Sequence, residues 1–304
     1  MMKKHISAYL DSNISSHSQI EFVDIVLNSD TKLFIDPCLI DTHQDKWALA
    51  AQASIGNYFE KFYNVYRTQQ TNTEKFKLFF HTHEINATKL GYGNGNNGKA
   101  KTPEGMVATF SVIDSLFSHR LNLSKAVDLP LFISGFAEDC LSDMLTNIIF
   151  KVLNEFTLEQ CEKFGFASVP IPRQYYYWDC QISDWMPYQG KCLCIDNKVV
   201  LLVPKWFIRQ RYYYNTSQYF SMVILSKLQK EKTSFDADGK ELKPTKKSLK
   251  KEIIHYNKDI LSAAIEYTGK EPSLLTEYHN RIPRDYADKG MDDEMLDEII
   301  YGYR

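Results

Sequence analysis

The stretch Leu129–Gly165, LPLFISGFAEDCLSDMLTNIIFKVLNEFTLEQCEKFG, decides how the rest of the chain is read. Its first five residues, Leu129 to Ile133, are a short apolar run that predicts a buried strand, ended by Ser134 and Gly135. Met144, Leu145, Ile148, Ile149, Val152, Leu153 and Phe156 then recur at helical spacing. Ser142 is the expected N-cap, since a serine oxygen there accepts a free backbone N–H. Three acids, Glu138, Asp139 and Asp143, therefore fall where a strand hands over to a helix. Rigid elements hold side chains at such a junction while the loop exposes them.

Outward from this junction the same pattern repeats. Leu33–Ile35 reads as a strand, with Asp36 at its end and Pro37 forbidding the next ladder bond. Asp36 is a metal-ligand candidate on position and a turn residue on propensity. Residues 46–66 predict an amphipathic helix with Trp47, Leu49, Ala50, Ile55, Phe59, Phe62 and Tyr63 on its core face. Pro103 opens a further helix through Phe117. Lys191 to Val203 reads as a hairpin turning at Asp196-Asn197-Lys198, with Lys205 just past its second strand. Strands near 33, 131, 192 and 200 thus predict an α/β (or α+β) fold, a mixed central sheet flanked by helices. Three segments are expected: a core domain over 1–226, a lysine-rich arm over 227–252, and a helical segment with an acidic tail over 253–304.

With 36 basic and 38 acidic residues, the formal charge of −2 gives no overall attraction to nucleic acid, so any such contact needs a local patch. Arg209 and Arg211, followed by Tyr212 to Tyr214, are the best candidate for one. Lys99 and Lys101 close a glycine- and asparagine-rich run, Leu90 to Lys101, that reads either as a phosphate-gripping loop or as a plain surface loop. Residues 166–187 read as irregular and aromatic. Tyr175, Tyr176, Tyr177, Trp178 and Trp185 are either a stacking surface for bases or a core cluster. His81 and His83 with Cys192 and Cys194 make an alternative zinc set, against a reading as solvated or core side chains. Six cysteines without a CxxC pair read as reduced thiols. With no signal peptide and no apolar run of roughly 18 residues, the expectation is a cytoplasmic protein without a membrane segment.

Four pieces, LFIDP (33–37), HEINATKLGYGNG (83–95), GFAEDCLSDMLTNII with FTLEQCEKFG (135–165) and GKCLCIDNKVVLLVPKWFIR (190–209), resemble a pattern of uncharacterised bacterial proteins of the antiphage-defence type. Where that pattern carries Gly-Pro-Asp and then Ser-Asp, this chain has Ala137-Glu138-Asp139 and then Ser142-Asp143. The acids with Lys205 also loosely resemble the acid-acid-lysine grouping of PD-(D/E)XK nucleases. The chain departs from it in having Val203 where an acid would precede the lysine.

Two functions follow as expectations. The first is a metal-dependent, nuclease-like effector of a defence system acting on phosphodiesters. Asp36, Glu138, Asp139 and Asp143 would hold Mg²⁺ or Mn²⁺, Asp139, Asp143 and Lys205 would be catalytic, and Lys99, Lys101, Arg209 and Arg211 would contact nucleic acid. The second is a non-catalytic interaction module or subunit of a defence complex, with a protein partner from the same operon.

Overall fold

Helices and short strands share the chain in the computed structural model, which describes residues 5–10, 14–92, 102–257, 259–286 and 290–302. Ser7–Leu10 (α1) and a 3-10 turn, His17–Gln19, precede the strand Phe34–Ile35 (β1). Asp36 then caps Pro37–Thr42 (α2): its Oδ1 accepts from the Cys38 N–H at 2.7 Å, and Pro37 takes the first turn, where no N–H is needed. Lys46–Arg67 (α3) is capped by Asp45 through the Trp47 and Ala48 N–H groups. Ile55, Tyr58, Phe59, Phe62, Tyr63 and Tyr66 bury one face of it, while Leu49, expected there, is exposed. Asn72–Phe79 (α4), Pro103–Phe110 (α5) and Val112–Ser118 (α6) pack around α3, with Phe62 edge-on to Phe79 and Phe110. The helix expected from Pro103 to Phe117 is divided at Ser111.

Leu129–Phe132 (α7) is a helical turn, which corrects the strand expected there. A run this short carries no period, and Pro130 suits the first turn of a helix. Leu129, Leu131 and Phe132 are buried, and the Leu131 carbonyl accepts from Thr216 Oγ1 at 2.7 Å. Glu138–Ile148 (α8) and Phe150–Phe164 (α9) replace one long helix, broken at Ile149 (φ −97°, ψ 20°). Gly165, at φ 74°, closes α9 in the left-handed conformation that glycine adopts without penalty. Ser142 is not the cap: Ala137 holds that place. Ser142 lies inside α8, where its Oγ accepts from the Ile35 N–H at 3.0 Å and fastens α8 to β1.

The next strands are Ser168–Pro170 (β2), Tyr176–Asp179 (β3), Asp184–Pro187 (β4), Lys191–Ile195 (β5), Lys198–Val200 (β6) and Ile208–Arg209 (β7). They form small antiparallel sheets flanked by helices: β2-β5-β6, β3-β4 and β1-β7. The fold is therefore mixed helix and strand, with strands at 34, 192 and 200 where expected. Asp196 and Asn197 (φ 49° and 60°) make the two-residue turn that matches strand twist in a hairpin. The aromatic stretch is a hairpin rather than irregular chain. Trp178 lies opposite Trp185, both are buried, and their indole N–H groups donate to Asn57 Oδ1 and the Leu78 carbonyl. These rings belong to the core, not to a stacking surface.

The remaining elements are Thr216–Tyr219 (α10), a π-helical turn Phe220–Ile224, Leu225–Glu231 (α11), the hairpin Ser234–Phe235 (β8) with Glu241–Leu242 (β9), Lys246–Asn257 (α12), Ile260–Lys270 (α13), Ser273–Tyr286 (α14) and Asp293–Tyr301 (α15). Residues 227–252 thus span the end of α11, the β8-β9 hairpin and half of α12. Leu249 and Ile253 anchor α12, while Lys247, Lys250 and Lys251 are exposed. α15 turns back onto the N-terminal region: Asp297 accepts from the His17 backbone N–H at 2.8 Å, and Tyr301 donates to Asp24 Oδ2 at 2.8 Å. Among the described residues, no helix is long and apolar enough to cross a membrane.

Candidate functional site

The residues expected to form one site take their partners in three settings, of which the first and third adjoin at Tyr212 and Tyr214. Asp36 occupies the first, at the end of β1, where it is fully buried. Its Oδ1 accepts from the Cys38 N–H at 2.7 Å and from the Tyr214 hydroxyl at 3.1 Å. Its Oδ2 lies 2.5 Å from Arg209 Nε, a charge contact out of line for a hydrogen bond. The register of β1 on β7 dictates this pairing, because Phe34 opposite Arg209 brings the guanidinium to the strand end. Burial pushes the Asp36 carboxyl up, against the pull of Arg209, the Cys38 N–H and the Tyr214 hydroxyl. Tyr212 and Tyr214 stack at 4.7 Å beside it. Burial, and then the Asp36 charge, push both phenols far above their ordinary range.

Lys205 occupies the second. Its Nζ donates to Asp293 Oδ1 at 2.6 Å and to the His17 carbonyl at 2.8 Å. It ties α15 to the N-terminal turn and shares no partner with Asp36.

The third is the start of α8. The Tyr92 hydroxyl donates to Glu138 Oε1 at 3.0 Å, and the Tyr92 N–H reaches Asp139 Oδ1 at 3.4 Å. Gly91 makes this strap possible: at φ 135°, a Cβ there would lie 2.8 Å from Asp139 Oδ1. Both acids sit in the first turn of α8, where negative charge is favoured by the helix dipole. Burial, then the bond to Glu138, push the Tyr92 phenol up to about 12. Asp143 lies one turn along and is half-buried. Arg211 is exposed at the mouth of a cavity of about 460 Å³ that Glu138, Tyr212, Tyr214 and Asn215 also line. Arg209 and Arg211, read together as a basic patch, part company: one is buried against Asp36 and the other faces the cavity. Lys99 and Lys101 lie outside the described residues.

Asp36 commits its oxygens to Cys38, Tyr214 and Arg209, and Glu138 and Asp139 both accept from Tyr92. Among the described residues, no three His, Cys, Asp or Glu side chains are gathered as a metal site needs. As arranged, Asp36, Glu138, Asp139 and Asp143 do not fit a Mg²⁺ or Mn²⁺ ion. The alternative set does not fit zinc either. His81 stacks on Tyr176 at 3.5 Å, and among the described residues the two histidines and two cysteines are not gathered into one cluster.

Sequence reasoning missed Tyr92, and it read Tyr212 and Tyr214 as part of a surface patch where the structure buries them beside Asp36. Tyr92 had a signal, as the lone aromatic between Gly91 and Gly93. The parting of Arg209 from Arg211 follows from the structure: alternate positions on extended chain share a face only while the strand continues, and β7 ends at Arg209.

The chain belongs to the family described as Domain of unknown function (DUF8370), which matches residues 13–215. No curated protein matches it, and no solved structure does. The matched span contains Asp36, the α8 acids, Lys205, Arg209 and Arg211. It ends before Asp293 and Asp297, the acids that hold Lys205 and His17.

Proposed function

We propose that the chain is a non-catalytic interaction module of a larger complex, in the bacterial defence setting that its sequence resemblance implies. The buried Asp36–Arg209 pair carries this reading. The acid that a cation site would need is engaged in joining β1, α2 and β7, and Lys205 is engaged in holding α15. The docking surface on this reading is the 227–252 segment with the end of α12. There Phe235 and Tyr256 are 69% and 78% exposed among Lys240, Lys243, Lys247, Lys250 and Lys251. Exposed rings in a segment where nine lysines outnumber five acids suit an acidic protein partner. Six cysteines with no disulfide among the described residues support a cytoplasmic setting. The test is co-expression with the products of neighbouring genes. A complex that survives purification, and is lost in a folded Lys247→Glu/Lys250→Glu/Lys251→Glu variant, is expected. A complex indifferent to that variant overturns the assignment of the surface.

One observation favours a second reading, a metal-dependent nuclease-like effector. Glu138 and Asp139 converge on Tyr92, and Arg211 shares a cavity with Glu138. That reading requires Glu138, Asp139 and Asp143 to turn toward one ion. It expects Mg²⁺ or Mn²⁺ binding that disappears in Asp139→Ala and Asp143→Ala, and cleavage of plasmid or RNA by the unmodified chain. The interaction-module reading expects neither.

A further inference from the structure

The geometry points to a binding site for a small, multiply charged phosphorylated molecule in the cavity where Arg173, Lys198 and Lys89 meet, an inference independent of the docking surface above. The cavity measures about 570 Å³ and lies between the loop 84–89, the segment 172–175 and the β5-β6 turn. That is within the size range of small-molecule sites. Three cations from three separate parts of the chain line it, against one carboxylate, Glu84.

Arg173 is the best prepared of the three. Its Nε donates to the Tyr175 hydroxyl at 2.8 Å, and its guanidinium lies 4.8 Å over the Tyr175 ring. That ring is in turn stacked on Phe150 at 4.9 Å, with the planes only 11° apart. The plane of the guanidinium is therefore fixed from behind, while its terminal N–H groups have no partner among the described residues. A fixed fork of parallel donors is matched to two oxygens of one phosphoryl group, and holding it in advance lowers the entropy lost on binding.

Lys198, on the exposed turn, has no acidic partner among the described residues. Lys89 is shared with Asp30 at a loose 3.8 Å. Lys89 itself adopts φ 55°, an unfavourable conformation for a lysine, held by the Thr31 N–H on its carbonyl at 2.9 Å. The neighbouring Leu201 N–H on the Ala87 carbonyl, also 2.9 Å, pins the loop to the end of β6. Asn86 and Asn197 add uncharged amides to the lining. Like charges brought together on a pinned framework repel one another, and a polyanion relieves that cost where a singly charged ion relieves only part of it.

The test is calorimetric titration of the full chain with inorganic pyrophosphate and, separately, with ATP. Saturable one-to-one binding is expected. Arg173→Gln and Lys198→Gln should each weaken it roughly tenfold, the scale of one charge-assisted contact. Arg173→Lys keeps the charge but loses the fork and should weaken binding nearly as much, whereas Lys61→Gln, on the exposed side of α3 and outside the cavity, should change nothing. Tighter binding of ATP assigns a nucleotide, and equal binding assigns recognition to the phosphoryl groups alone; both support the site. Absence of binding by the unmodified chain to either probe overturns it. So does a folded Arg173→Gln/Lys198→Gln variant that binds as well as the original.

Discussion

Arg209 Nε and Asp36 Oδ2 stand 2.5 Å apart at the meeting of β1 and β7, with only 3% and 0% of their side chains exposed. Removing one member strands the other charge in the interior. Arg209→Met is expected to cost about 3–5 kcal/mol, whereas Asp36→Asn with Arg209→Met should cost markedly less, because the desolvation penalty goes with the pair. Urea unfolding of the two variants beside the original measures the difference. A single-variant loss within about 0.5 kcal/mol would be that of an ordinary surface residue and would deny the pair its structural role.

Two helical glycines should respond in opposite directions to alanine. Gly56, inside α3, has nothing within 4 Å of a built Cβ, so Gly56→Ala is expected to stabilise by about 0.4–1 kcal/mol. At Gly269, in α13, the Cβ would lie 2.5 Å from the His119 carbonyl oxygen. Backbone cannot yield as a side-chain tip does, so Gly269→Ala should lose about 1–3 kcal/mol. Thermal or urea midpoints decide both.

Asp297 supplies a pH dependence. Burial acts to raise its carboxyl, but bonds from the Ser16 side chain and from the His17 backbone and ring outweigh it and leave the group below the usual carboxylate range. A depressed folded value means stability that is complete above the unfolded value of about 4 and lost as pH falls from there through the folded one. Asp297→Asn should lower stability at neutral pH and flatten the acid limb. Parallel curves for the two proteins from about pH 7 to about pH 3 would deny the linkage.

Lys205 is expected to matter to the end of the chain rather than to chemistry. Lys205→Met removes a partly exposed ion pair worth about 1 kcal/mol or less, and combining it with Asp293→Asn should add little, since both break one contact. Hydrogen exchange should rise in the α15 amides and stay unchanged in α8. Equal protection of α15 before and after would place its anchoring elsewhere.

What was legible in the sequence is what local pattern determines. α3 shows its helical period over six turns, and the β5-β6 hairpin announces itself through Asp196-Asn197. Leu129–Phe132 did not, because four apolar residues satisfy a strand and a buried helix equally and only Pro130 discriminates. Asp36 was correctly placed at a strand end, yet its partner stands 173 positions on, and nothing local to either residue encodes the pairing. The Arg173, Lys198 and Lys89 cavity was unreadable for the same reason: its charge comes from three segments that only the assembled sheets bring together.

The return of α15 onto the first turns of the chain has a consequence for how the protein is made. A ribosome delivers His17, Asp24 and Lys205 long before Asp293, Asp297 and Tyr301, which take up their bonds. Until α15 has been made, the nascent family region therefore carries an open seam along the edge that His17, Asp24 and Lys205 form. That seam is sealed only when α15 emerges, and any product cut short before Asp293 keeps it open.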